Sequence, residues 1–236
     1  MLDQFRHIWA AVMAPPARLL LRLGVAPDVV TWIGTILVVA AALLTIPRGL
    51  LWQGALLCLI TVLSDGLDGQ MARMSSQSTT YGAFLDSSLD RVADGALFGA
   101  IILYYAGPGG SQAWAFVTLW ALVAGQVTSY VKARAESVGL DATGGIAARA
   151  DRIVVAFIGL ILAGIGVPYA LQIAMLVLAL LATWTVGQRI LRARASAGKE
   201  PFWSPESGRA NGRPGRSTGR RSTPPPDAAE DGSAER

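Results

Sequence analysis

Residues 95–131 read GALFGAIILYYAGPGGSQAWAFVTLWALVAGQVTSYV and contain no Asp, Glu, Lys or Arg. A helix needs about 20 predominantly apolar residues to cross the hydrocarbon core of a bilayer. This run is long enough for two crossings, and Gly107-Pro108-Gly109-Gly110 supplies the turn between them. Ile153–Gln188 repeats the pattern, with Gly164-Ile165-Gly166-Val167-Pro168 in its middle. Nearer the N-terminus, Val29–Pro47 and Gly49–Ser64 are each uncharged. The pattern predicts an all-α integral membrane protein with six transmembrane helices. The second and third extend past their apolar parts into a charged stretch between Asp65 and Asp94.

Composition agrees. The chain has 236 residues, of which 53% are hydrophobic and 15% charged. Its mean hydropathy is +0.45. A soluble domain carries about 25% charge, and intrinsic disorder of the bulk is excluded. The one Cys, Cys58, lies in an apolar run, which excludes an internal disulfide framework or a multi-cysteine metal site. The one His, His7, would have to serve any Ser-His-Asp or Cys-His mechanism alone. If the chain is an enzyme, its chemistry falls to carboxylates, basic residues and metal.

The net charge is +4. Arg6, Arg18 and Arg22 precede the first span, and Arg73 lies between the second and third. Lys132, Arg134, Arg149 and Arg152 lie between the fourth and fifth, and Arg189, Arg192 and Arg194 close the sixth. The opposite turns hold only Arg48. This asymmetry places both termini in the cytoplasm and fits the positive-inside rule better than a nucleic-acid footprint.

Residues 1–23 mix Trp9 and Leu19-Leu20-Leu21 with arginines and are broken by Pro15-Pro16. They read as an amphipathic helix in the cytoplasmic interface. A cleaved signal peptide is the competing reading, weakened by the poor apolar core. Residues 24–196 are expected to form one transmembrane domain, the catalytic one if the chain is an enzyme. From Ala197 onward Ser, Gly, Pro, Arg and Glu dominate, which predicts a disordered cytoplasmic tail over 197–236.

Four carboxylates border two of the spans. Asp65 and Asp68 are three apart, Asp86 and Asp90 four apart, so each pair shares one face of a helix. The Ser- and Thr-rich stretch from Arg73 to Gly82 joins the two helices as a hairpin, so the acidic faces can meet. Carboxylates gathered near a bilayer repel one another and stay ionised only beside cations. Hard oxygen ligands suit Mg²⁺ or Mn²⁺. Four Asp can hold two ions about 4 Å apart, a clamp for phosphoryl displacement. Gly69, Ala72 and Gly82 remove bulk where a ligand or the facing helix must come close, and Arg73 offers a fork for phosphate. Asp94 continues the acidic face; it is assigned no ligand role, and pairing with Arg91 or capping a metal shell are its open readings.

Asp65-x-x-Asp68-Gly69-x-x-Ala72-Arg73, eight intervening positions, then Gly82-x-x-x-Asp86-x-x-x-Asp90 resembles the signature of the CDP-alcohol phosphotransferase family at every motif position. The likeness runs from about Pro15 to Arg194. It implies six transmembrane helices behind an N-terminal interfacial helix, usually as a homodimer. It also implies a reaction in which an alcohol displaces CMP from a CDP-linked lipid. By motif position, Asp65, Asp68 and Asp86 would ligate one Mg²⁺ and Asp65, Asp86 and Asp90 a second. Asp90 would accept the proton of the incoming hydroxyl. Gly69, Ala72, Arg73, Thr79 and Gly82 would contact CDP-diacylglycerol, together with Asp28-Val29-Val30-Thr31 at the start of the first span. Backbone N–H groups at such a start suit a phosphate, although an ordinary N-terminal cap explains the same residues.

A basic cluster bears on the acceptor. Lys132, Arg134, Arg149, Arg152 and Arg189 are expected on the cytoplasmic side with the aspartates, where they suit a phosphate monoester. Flanking charge of the positive-inside kind is their plainer reading. Lys132-Ala133-Arg134-Ala135-Glu136 and Arg149-Ala150-Asp151-Arg152 are similar to segments of an actinobacterial branch of the family. That branch joins CDP-diacylglycerol to inositol 1-phosphate in the bacterial plasma membrane. Asp151 here replaces a commoner Glu, and Ala150 a frequent Pro. Glycerol 3-phosphate is the alternative acceptor. A membrane cation transporter is the alternative of another class, since intramembrane aspartates can pass cations.

Overall fold

The computed structural model describes residues 13–64, 70–71, 74, 79–145 and 149–197. Asp65, Asp68, Gly69, Ala72, Arg73 and the expected tail from 198 onward lie outside the described residues.

Among the described residues the regular structure is helical, with no strand. Six long helices follow one another: α1 (Pro27–Thr45), α2 (Leu51–Ser64), α3 (Thr80–Ala106), α4 (Gln112–Ser137), α5 (Arg149–Gly164) and α6 (Ala170–Ser196). Pro27 opens α1 in its first turn, where the missing N–H costs nothing. Thr79 and Ser111 cap α3 and α4: their hydroxyls accept from Gly82 N at 2.9 Å and Trp114 N at 3.4 Å. α4 ends in a Schellman turn. Gly139 stands at φ +75°, and Leu140 N–H reaches back to Ala135 O at 2.8 Å.

Among the described residues three stretches are long and apolar enough to cross a membrane: Pro27–Arg48, Gln112–Ser137 and Ala170–Ser196. α2 is apolar but shorter. Many large apolar side chains face outward: Trp32, Ile36, Phe116, Leu180 and Trp184 are all exposed, as an apolar solvent permits. The chain is a helical membrane protein.

The helices close into a ring. α1 packs between α2 and α3, α2 meets α5, α5 meets α6, α6 meets α4, and α4 returns to α3. Small residues hold the approaches close: Ala42, Ala55, Cys58, Ala100 and Ala156 are fully buried. Larger side chains fill the space between them, chiefly Leu97, Phe98, Ile101 and Tyr105 of α3 with Leu160, Met175 and Leu178.

Two local expectations change. The chain is helical over 13–22, so Pro15-Pro16 does not break that stretch; residues 1–12 lie outside the described residues. α3 begins at Thr80, so Gly82 belongs to its first turn and not to the connecting hairpin.

Candidate active site

Asp86, Asp90 and Asp94 stand on α3 at four-residue steps and share a face. Burial deepens along it. Asp86 is exposed, Asp90 half-buried, and Asp94 only 4% exposed. A carboxylate that deep needs partners. Asp94 has three. Its Oδ1 accepts from Arg149 Nε at 3.1 Å, and its Oδ2 lies 3.6 Å from Arg152 Nη2 and 3.8 Å from Arg91 Nη1. Arg149 also reaches Asp90, with Nη1 2.8 Å from Oδ1. One guanidinium thus bridges two carboxylates a helical turn apart.

α4 supplies the wall. Ser129 Oγ accepts from Arg91 Nη1 at 2.6 Å, and Gln126 Nε2 donates to the Arg91 carbonyl at 3.1 Å. Arg152, 3% exposed, lies against Gly125, where a Cβ would stand 3.3 Å from its Nε. The cluster sets Arg91, Arg149 and Arg152 against Asp90 and Asp94.

The remaining basic residues have other partners. Arg189 donates from Nε to Gly144 O at 2.9 Å and from Nη1 to Thr128 O at 2.6 Å. It ties the loop after α4 to α6. Arg192 Nη1 donates to Thr143 O at 2.6 Å, and Ser196 Oγ accepts from Asp141 N at 3.0 Å. In that loop the Thr143 hydroxyl and amide both donate to Asp141, which holds its carboxyl below the usual carboxylate range. Lys132 pairs with Glu136 of its own helix at 3.7 Å, and Arg134 donates to Ser137 Oγ at 3.3 Å; both cations are exposed.

The starts of α1 and α3 meet. A Cβ on Gly82 would lie 3.2 Å from Thr79 Oγ1 and 3.6 Å from Asp28 Oδ1. Three residues expected at the CDP-lipid therefore adjoin. Val29 is exposed and Val30 half-buried, while Thr31 is nearly buried and donates to Pro27 O at 3.2 Å.

Among the described residues no group of three His, Cys, Asp or Glu side chains is placed to hold a metal. Two of the four expected ligands, Asp65 and Asp68, lie outside those residues. Asp86 and Asp90 offer hard carboxylate oxygens one turn apart on one face, a donor set that suits a divalent cation. Sequence reasoning left Asp94 between two readings and did not anticipate the roles of Gly125, Gln126 and Ser129. The step from Asp90 to Asp94 was the available signal.

Carboxylates thus share one helix face, with arginines paired to them inside a ring of apolar helices. The profile of the CDP-alcohol phosphatidyltransferase family matches residues 24–187, and the chain belongs to that family of enzymes. It is 48% identical to the phosphatidylinositol phosphate synthase of Cutibacterium acnes over 202 residues, 82% of this chain and 98% of that one. It is 42% identical to the enzyme of that name from Streptomyces avermitilis, over 82% of this chain and 83% of the other. Two crystal structures of the Mycobacterium tuberculosis phosphatidylinositol phosphate synthase are similar. The one with CDP-DAG bound has a TM-score of 0.79 at 38% identity, over 82% of this chain and 99% of that chain. The one with manganese and citrate has 0.77 at 38% identity, over 81% and 93%. A transporter is not favoured.

Proposed function

We propose that the chain transfers the phosphatidyl group of CDP-diacylglycerol to inositol 1-phosphate and releases CMP. The observation that carries this reading is the Arg149 bridge. It joins the last motif carboxylate, Asp90, through Asp94 to Arg91 and the buried Arg152. An anion held by Arg149 and Arg152 brings its attached alcohol close to Asp90. The relatives' names and the CDP-DAG in one of them support the same substrates.

In the reaction a hydroxyl oxygen of inositol phosphate bonds to the phosphorus that carries diacylglycerol. The bond from that phosphorus to CMP breaks, and CMP leaves with the electron pair. Asp90 takes the hydroxyl proton, a role worth about 10²–10⁴-fold in general base catalysis. Asp65, Asp68, Asp86 and Asp90 would hold two Mg²⁺, with Mn²⁺ the other ion these oxygens suit. Bound there, the ions offset the pyrophosphate charge and stabilise the leaving CMP. Asp28-Val29-Val30-Thr31, Gly69, Ala72, Arg73, Thr79 and Gly82 receive the CDP-lipid. Arg149 and Arg152 hold the acceptor phosphate, with Lys132, Arg134 and Arg189 around its entrance. All six helices span the bacterial plasma membrane, residues 1–23 lie in its cytoplasmic interface, and the active site and both termini face the cytoplasm. The working unit is a homodimer.

Purified protein in detergent with CDP-diacylglycerol and Mg²⁺ tests the reading. CMP is expected with inositol 1-phosphate and not with free inositol or glycerol 3-phosphate. Release only with glycerol 3-phosphate would overturn the acceptor.

A further inference from the structure

We infer that Asp94 is a positioning residue for the acceptor phosphate, acting through Arg149 and Arg152; this rests on the acceptor site proposed above. A guanidinium binds phosphate well when its fork is already aimed, because less side-chain entropy is lost on binding. Arg149 and Arg152 both enter from the first turn of α5, two helices further along the chain than α3. Asp94 is the one side chain among the described contacts that touches both. Its two oxygens divide the task. Oδ1 accepts from Arg149 Nε, which sets the plane of that guanidinium and lets Nη1 reach Asp90. Oδ2 faces Arg152 and Arg91.

The surroundings are built for this carboxylate. Arg91 is drawn aside by Ser129 at 2.6 Å, so its main commitment is to α4. Gly125 leaves room for Arg152 to lie flat against α4 beside Asp94. Arg152 Nη2 is buried, and its distance to Asp94 is that of an ion pair, beyond hydrogen-bond range. It keeps donor capacity that no described contact uses, and an anionic acceptor would take it. Without Asp94, three guanidinium groups would repel in a confined space, and Arg149 would be left to Asp90 alone.

The test is a KM split in the full-length enzyme in detergent. Asp94→Asn is expected to raise KM for inositol 1-phosphate about tenfold or more, on the scale of a lost charge-assisted hydrogen bond. KM for CDP-diacylglycerol should stay within about twofold, and Asp94→Glu should recover part of the acceptor affinity. Protection of the protein against heat by inorganic phosphate should weaken in parallel, a readout independent of turnover. An unchanged acceptor KM, or equal rises in both KM values, would overturn the role. If Asp94→Asn does not fold, Gly125→Ala decides by the same split, because its Cβ crowds Arg152 and touches no carboxylate. If the wild type instead uses only glycerol 3-phosphate, the inositol reading fails. The split is then measured with that acceptor, and Asp94 stands or falls on it separately.

Discussion

Two interhelical regions of this protein invert each other. Between α3, α4 and α5, five charged side chains are paired, with Asp94 and Arg152 buried at 4% and 3% exposed and the other three half-buried. Between α4 and α6 lies an outward groove of about 810 Å³ lined by Phe116, Trp120, Leu180 and Trp184. Phe116 is 67% and Trp184 62% exposed there. Polarity is sparse in it, the Trp120 indole donating to Thr183 Oγ1 at 2.9 Å. The contrast follows from the solvent. Lipid accepts aromatic and aliphatic surface without penalty, whereas an unpaired charge facing it is expensive. The larger concavity is apolar and open, whereas the proposed chemistry is placed in the small, crowded, charged region.

Substitutions can break or sharpen that contrast. The largest effect belongs to Asp90→Asn, which should lower CMP release at least about 10²-fold while CDP-lipid binding persists. Near-normal turnover would remove Asp90 as the proton acceptor. Arg152→Gln comes next. It should raise acceptor KM about tenfold and lower the melting temperature, because one partner of a buried charge set is lost; an unchanged KM would make the interior cluster purely structural. Thr79→Ala removes the cap of α3 and should cost about 1 kcal/mol of stability. It should also weaken CDP-lipid binding, and a melting temperature equal to the wild type would deny the cap its part.

A smaller effect tests the loop that Arg189 and Arg192 hold. Its hydrogen bonds depress Asp141, so its contribution to stability is present above the ordinary carboxylate pKa. That contribution is lost as pH falls through the lowered folded value. Thr143→Val should therefore reduce stability slightly at neutral pH, and the difference should vanish in acid. A difference that persists unchanged in acid would point to packing instead. The smallest effect is expected in the groove. Trp184→Leu should leave turnover within about twofold, as exposed substitutions generally do. A strong loss would give the apolar region a function and end the contrast.

Much was legible in order along the chain. The turn at Gly107–Gly110 and the break at Gly164–Pro168 fall where the charge-free runs divide. The step from Asp86 to Asp90 set a common face before any packing was known, because helical periodicity is local. Pro15-Pro16 was misleading as a break, since residues 13–22 are helical through both prolines. The basic residues were legible as a class but not by partner. Arg149 and Arg152 turn inward to Asp94, Arg189 turns to two carbonyls, and Lys132 stays with Glu136 on its own helix.

The amino-acid order alone determined the helical membrane class, the turns and the shared face of Asp86 and Asp90. Each of these depends on hydropathy and on spacing within a few residues. Only the tertiary structure decided that α2 lies beside α5 and α6 beside α4, and that Asp94 meets arginines from 55 and 58 positions away in sequence. Those partners are chosen where the ring closes. There small residues let backbones approach, and a buried carboxylate must find whatever cations the neighbouring helices present.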